Sequence, residues 1–233
     1  MNTTLFKADT RGHANYGWLD THHVFSFGSY MHPERMNFGM LRVFNDDVVE
    51  GGSGFGEHPH RNMEIISIPL KGVLMHRDSM GHAEALHPGD VQVMSAGRGI
   101  THSEFNGSDT EPVEFLQIWI IPDTPNVQPR YDQRRIIVPQ NSIELVVGPK
   151  DGDAPLWIHQ TAWLSMVSLE SDHTREYIPR SEGTGIFIFV IEGELTVHEQ
   201  TLQRRDALGL SDVGSIQIHA HQQTSAVLIE VPL

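Results

Sequence analysis

Lys71-Gly72-Val73-Leu74-Met75-His76 returns about 120 residues later as Glu192-Gly193-Glu194-Leu195-Thr196-Val197-His198. In both places a charged residue and a glycine lead straight into a short strand pattern. Downstream, Gly89-Asp90-Val91 has its counterpart in Arg205-Asp206-Ala207. Self-similarity at a fixed spacing marks a repeated structural unit, so the chain is read as two β-barrels of one type. The surrounding sequence agrees. Short runs rich in β-branched and aromatic residues, separated by Gly, Pro, Asn and Asp, fall at 23–27, 38–44, 63–70, 73–77, 113–121 and 135–138. They continue at 143–147, 163–169, 186–191, 194–198, 215–219 and 226–231. Evenly spaced short strands predict an all-β sandwich or barrel. No stretch keeps a helical period, and the one helical turn expected is near Met31-His32-Pro33-Glu34. Pro122, Pro125, Pro129 and Pro139 interrupt regular pairing and mark a linker. The expected domains are residues 1–130 and 131–233.

Bulk properties narrow the function. A chain of 233 residues has room for one large or two ordinary domains. With 39% hydrophobic and 20% charged residues it is globular rather than disordered. The longest apolar run, 186–191, has strand length, well short of the roughly 18 residues of a membrane span. Residues 1–7 carry neither an apolar core nor a small-residue cleavage site, so no signal peptide is expected. The absence of cysteine excludes disulfides and thiolate ligands and suits a reducing cytoplasm. Sixteen basic and 30 acidic residues leave a net charge of −14, spread along the chain. That balance argues against direct nucleic-acid binding, which draws its affinity from Lys and Arg. The local exception, Arg130 with Arg134-Arg135, is read as solvated or ion-paired arginines between domains.

The chemistry sits in two short segments, His58-Pro59-His60 and His102-Ser103-Glu104. Each puts two potential metal ligands at i and i+2, on one face of a strand. Fifteen histidines make chance spacings common, and His219-Ala220-His221, His32-Pro33-Glu34 and His82-Ala83-Glu84 repeat the pattern. What singles out the first two is their glycine frame: Gly52 and Gly72 around one, Gly89-Asp90 and Gly97-Arg98-Gly99 before the other. The internal repeat adds a test. An ungapped alignment puts Pro179, Ser181, Ile218 and Ala220 at the positions of His58, His60, His102 and Glu104. His219 and His221 fall one residue out of step, on the opposite face. The second barrel is therefore expected to hold no metal.

Three neutral imidazoles and one carboxylate suit a borderline divalent ion (Fe2+, Ni2+, Co2+, Cu2+ or Zn2+) rather than Ca2+ or Mg2+. Four protein ligands on a six-coordinate ion leave two positions open, the mark of a catalytic site. Glu64 is even-spaced from His60 and shares its face if the strand is unbroken. It would then be a further ligand, or an acceptor for a ligand imidazole; Glu104 is the preferred ligand. His76 is read either as lining the barrel interior or as a satisfied core histidine. Arg98 is read at the pocket mouth or in solvent.

Gly-Phe-Gly-Glu-His-Pro-His-Arg-Asn-Met-Glu (54–64) and Met-Ser-Ala-Gly-Arg-Gly-Ile-Thr-His-Ser-Glu (94–104) resemble the two motifs of the pirin family, within the cupin superfamily. The resemblance extends from Arg11-Gly12-His13-Ala14 through Arg42-Val43-Phe44-Asn45-Asp46-Asp47 to the 129–135 segment, and is only general over the second barrel. Within the family the chain is particularly similar to bacterial pirin-like quercetin 2,3-dioxygenases. The resemblance implies a bicupin of two jelly-roll barrels, with His58, His60, His102 and Glu104 on the metal and Glu64 outside the ligand set. Two departures from general cupin spacing stand out: seven residues separate Glu64 from Gly72, and Ser95 stands where proline is usual. The implied reaction is cleavage of a flavonol by dioxygen with release of carbon monoxide, Fe2+ being the first-choice ion and Glu104 the base. The competing reading is a pirin-like regulator that binds a protein partner through a metal-dependent switch. A third is a cupin enzyme acting on another small molecule without consuming dioxygen.

Overall fold

The computed structural model describes residues 1–233. In chain order the first strands are β1 (Asn2–Phe6), β2 (Gly12–Asn15), β3 (Leu19–His23), β4 (Leu41–Val49), β5 (Gly54–His60), β6 (Glu64–Lys71), β7 (Leu74–Asp78), β8 (Ala83–Leu86), β9 (Asp90–Ser95), β10 (Ile100–Asn106), β11 (Val113–Ile120) and β12 (Arg130–Arg135). There follow β13 (Ser142–Pro149), β14 (Leu156–Ile158), β15 (Trp163–Leu169), β16 (Thr174–Tyr177), β17 (Thr184–Glu192), β18 (Glu194–Val197), β19 (Gln200–Gln203), β20 (Ala207–Ser211), β21 (Ile216–Ala220) and β22 (Thr224–Pro232).

The strands build two jelly-roll barrels, each of two sheets. The first faces a seven-stranded sheet, β12-β9-β6-β11-β4-β3-β2, with a four-stranded one, β5-β10-β7-β8. The second repeats the plan with β1-β20-β17-β22-β15-β13-β14 and β16-β21-β18-β19. β17 shows why its sequence is apolar throughout. Ile186, Ile188 and Val190 point into the second barrel, while Phe187, Phe189 and Ile191 point out of it. The outward set meets Ile66, Ile68, Leu116, Ile118 and Ile120 of the first barrel in a shared core of 25 buried residues. The two large sheets thus pack back to back. A strand covered on both faces loses its polar alternation and reads as a continuous apolar run.

The interiors differ. Sixteen buried hydrophobic residues, Ile218 and Ala220 among them, fill the second barrel. The first keeps polar groups inside: Ser67, Gln92, His102, Glu104 and Gln117 are all buried.

Several expectations need correction. The domain boundary at residue 130 is crossed twice. β1 pairs with β20 in the second barrel, and β12 pairs with β9 in the first. Phe6 anchors the exchange of β1, because its ring is buried in the shared core. The 122–139 linker is interrupted by β12, and the strand expected at 135–138 ends at Arg135. Residues 33 and 34 form a turn, and the helical element is a 3-10 turn at Ala8–Thr10. No helix is long and apolar enough to cross a membrane.

Candidate metal centre

β5 and β10 lie antiparallel, with His58 directly opposite His102 and His60 opposite Ile100. The three imidazoles converge, with ring centroids 4.5 Å apart for His58–His102 and 4.8 Å for the other two pairs. Their donor atoms all lie within 4.8 Å of one another. The β5–β10 ladder slips between His102 and Glu104, a bulge of the sort that re-aims a side chain. On the other edge of β10, β7 places His76 opposite Glu104 and Asp78 opposite His102. Glu104 accordingly shares a second donor group with His102 and His76.

The donors fit a divalent transition-metal ion. His58 Nδ1 lies 2.8 Å from the Gly56 carbonyl oxygen. A carbonyl only accepts, so Nδ1 carries the proton and Nε2 keeps its lone pair. Burial, reinforced by His58, lowers the His60 pKa to about 4. Burial together with the neighbouring histidines takes His102 to about 2. Both rings are therefore neutral near pH 7, with a lone pair free. His102 is 1% exposed, yet neither ring nitrogen has a hydrogen-bond partner. Such a group destabilises the fold unless something else binds it, and a metal ion is the partner this donor set suits.

Glu104 is enclosed by polar residues that the motifs did not reveal. Burial raises its pKa, and hydrogen bonds from Gln117 and Ser67 work against that. Gln117 Nε2 donates to Oε2 at 2.7 Å. The Ser67 hydroxyl lies 3.2 Å from Oε1 and 2.9 Å from Gln117 Oε1, and its single proton serves one of them. Gln92 Nε2 donates to the same hydroxyl at 3.2 Å. In the sequence these residues carried one usable signal, the period-2 placement of polar groups inside otherwise apolar strands.

Glu64 is elsewhere. The chain turns at residues 61–63 and enters a different sheet, so the even spacing from His60 does not carry across. Glu64 has the parity of Ile66 and Ile68 and lies on the inter-barrel side, where the Ser95 hydroxyl donates to its Oε2 at 2.7 Å. It belongs to neither donor group at the centre. In the second barrel, strand pairing puts Arg175 opposite Ile218 and Tyr177 opposite Ile216. These residues, rather than Pro179 and Ser181, stand where His58 and His60 stand. His219 and His221 bond Thr174 and Thr196 on the other face. A surface trio, His13, Asp20 and His22, satisfies itself: Asp20 bonds His13 at 2.8 Å, and the rings stack at 4.4 Å.

A cavity of about 480 Å³ opens beside His60, lined by Pro59, Arg61, Ser79, Gly99, Ile100 and Thr101. Beside the cluster, Trp119 meets His60 edge-on at 4.9 Å and Phe27 at 5.4 Å. A larger cavity of about 610 Å³ lies in the groove between the barrels and contains none of the four candidate ligands.

Tandem two-sheet barrels, with an imidazole–carboxylate cluster in only one of them, define a metal-binding bicupin. The chain belongs to the pirin family: the pirin model matches residues 6–120, and that of the quercetinase C-terminal cupin domain matches residues 145–231. It is 42% identical over 228 residues to quercetin 2,3-dioxygenase of Escherichia coli strain K12, covering 98% of each chain. The crystal structure of the E. coli pirin YhhW in complex with nickel(II) superposes with a TM-score of 0.95 at 41% identity, covering 99% of both chains. A quercetin 2,3-dioxygenase from Acinetobacter baumannii shares the fold at 20% identity and TM-score 0.79, over 99% of this chain and 79% of its own.

Proposed function

We propose that this chain is a metal-dependent quercetin 2,3-dioxygenase, opening a flavonol heterocycle with dioxygen and releasing carbon monoxide. The observation that carries the reading is the convergence of His58, His60 and His102 in a chain 42% identical, end to end, to a quercetin 2,3-dioxygenase. These three histidines and Glu104 are the proposed ligands. Fe2+ is the first-choice ion, with Ni2+, Co2+, Cu2+ and Zn2+ as alternatives. When bound, the ion supplies Lewis acidity and a template for the two reactants.

The side chains do the rest. Glu104 takes the proton of the flavonol 3-hydroxyl, and burial makes it a stronger base than an exposed carboxylate. Gln117 donates to Oε2 at 2.7 Å and the Ser67 hydroxyl lies 3.2 Å from Oε1, so the carboxylate is held in one orientation. Trp119, edge-on to both His60 and Phe27, is the aromatic group beside the cluster that a flat ring system would meet. The second barrel is assigned no metal, because Ile218 and Ala220 belong to its filled apolar interior. The cysteine-free chain is assigned to the cytoplasm, and its charge of −14 supports a small-molecule rather than a nucleic-acid partner.

Anaerobic loading with each ion in turn, followed by quercetin and air, tests this directly. Dioxygen uptake matched by carbon monoxide is expected with at least one ion, and no turnover with any ion overturns the assignment. Glu104→Gln should retain metal but lose roughly 100- to 10,000-fold in kcat. Normal turnover by that variant removes Glu104 as the base.

A further inference from the structure

Three buried imidazole nitrogens in the first barrel have no hydrogen-bond partner: both nitrogens of His102, and Nδ1 of His76. An ion at the proposed centre takes one nitrogen of His102. The other is then a buried N–H in need of an acceptor.

His76, the neighbouring ring, carries a free acceptor for it. Its Nε2 lies 3.3 Å from Asp78 Oδ2. An ionised carboxylate only accepts, so the His76 proton sits on Nε2 and Nδ1 keeps a lone pair. Asp78 is pinned in turn. Oδ2 lies 2.8 Å from His82 Nδ1, and Oδ1 accepts from the Met80 and His82 backbone N–H groups at 2.8 and 3.1 Å. Tyr131 of β12 stacks on both rings, 4.6 Å from His76 and 4.8 Å from His82, and so fixes their planes. His76 and His102 lie 5.4 Å apart between ring centroids, and the donor atoms of His76, His102 and Glu104 fall within 4.8 Å of one another.

We propose that His76 is a positioning residue for the metal centre: its Nδ1 accepts the N–H of the His102 nitrogen that the ion leaves free, while Asp78 fixes the His76 tautomer. His76 and His102 are adjacent but not hydrogen-bonded as they stand, so the bond closes when an ion turns the His102 ring, and it then satisfies both orphaned groups. Partners of this kind set ligand orientation and basicity, and losing one typically weakens metal binding about 10- to 100-fold. The proposal rests on the ligand assignment above.

Nickel affinity, measured by chelator competition on the full chain, separates the two. His102→Ala should abolish stoichiometric Ni2+ binding, and unchanged binding there overturns the ligand assignment itself. With that control in place, His76→Leu should weaken Ni2+ about 10- to 100-fold. His76→Asn, which keeps an acceptor oxygen near the place of Nδ1, should recover most of the loss. Asp78→Asn should weaken binding in the wild-type background but add little to His76→Leu. The Cu2+ EPR spectrum of His76→Leu should keep its three-nitrogen pattern. Wild-type nickel affinity in folded His76→Leu overturns the proposal. Loss of one coordinated nitrogen from that spectrum also overturns it, by making His76 a ligand. If His76→Leu does not fold, Asp78→Asn and His76→Asn decide the matter: wild-type affinity in Asp78→Asn is the overturning result.

Discussion

Two buried glutamates four strands apart in the chain show how little residue type decides at the level of a single side chain. Glu104 points into the first barrel among amide and hydroxyl groups, whereas Glu64 points out of it toward the second. Burial raises the Glu64 pKa to about 7, against the pull of Ser95, the His159 backbone N–H and Arg130. A raised folded-state pKa means that the native state favours the proton. The associated stability is complete below the unfolded value near 4.5, drains away as pH rises toward 7, and is constant above that. Glutamine cannot ionise, so the melting temperature of Glu64→Gln relative to wild type should climb between about pH 4.5 and 7 and then level off. The slope is the prediction, since lost hydrogen bonds offset the curve equally at every pH; its span is at most on the order of 3 kcal/mol. Melts across that range read it directly, and a pH-independent difference would refute the assignment of that pKa to Glu64.

At the scale of the element, the repeated glycine turn behaves as the sequence pattern implies. Gly72 and Gly193 have φ of +75° and +94°, in the left-handed region where a side chain is strained. Their surroundings differ. A Cβ at Gly193 would lie 2.4 Å from Thr224 Oγ1 and 2.5 Å from the Gln223 carbonyl oxygen, whereas at Gly72 the nearest atom is the Pro112 carbonyl oxygen at 2.9 Å. Gly72→Ala should cost about 1–2 kcal/mol from backbone strain, and Gly193→Ala distinctly more. Urea unfolding of the two variants gives the order, and equal losses would contradict it. The same turn made the two-barrel plan legible, as did strands rich in Ile, Val and Phe. β12 was not legible: Arg-Tyr-Asp-Gln-Arg-Arg carries no apolar stripe, because it lies at a sheet edge and contributes Tyr131 to two imidazoles instead of to a core. Counting from Gly193 missed Arg175 and Tyr177 for a related reason. Residues 178–183 make a longer connection than residues 61–63, and no spacing rule reports a loop length. Of the centre itself, the i, i+2 histidines were readable from strand geometry. Ser67, Gln92 and Gln117 were not, since sheet pairing gathers them and the facing of the two sheets brings them to Glu104.

At the scale of the whole molecule, the two barrels are not independent supports. Phe187 of the second barrel packs against Phe25, Phe38 and Phe44 of the first at 5.3 to 6.1 Å, with Phe6 of the exchanged strand β1 beside it. Arg11 and Arg205 converge on Asp46 at 3.1 and 3.4 Å near one end of the join. Near the other, Arg130 donates to the Trp157 carbonyl at 2.9 Å and lies 3.8 Å over its ring. Opening either barrel exposes the outer face of the other, so both should unfold in one transition. An ion that binds only the native state stabilises everything that unfolds with its site, by about 2.7 kcal/mol at 100 times its dissociation constant. Nickel bound in the first barrel should therefore slow hydrogen exchange at the most protected amides of β17 and β22, remote from the centre, by roughly 100-fold. Protection that rises only in β5, β7 and β10 would mean that the shared core does not couple the barrels. Equal protection across both barrels makes the second barrel a structural stabiliser of the first, through the two large sheets packed between them.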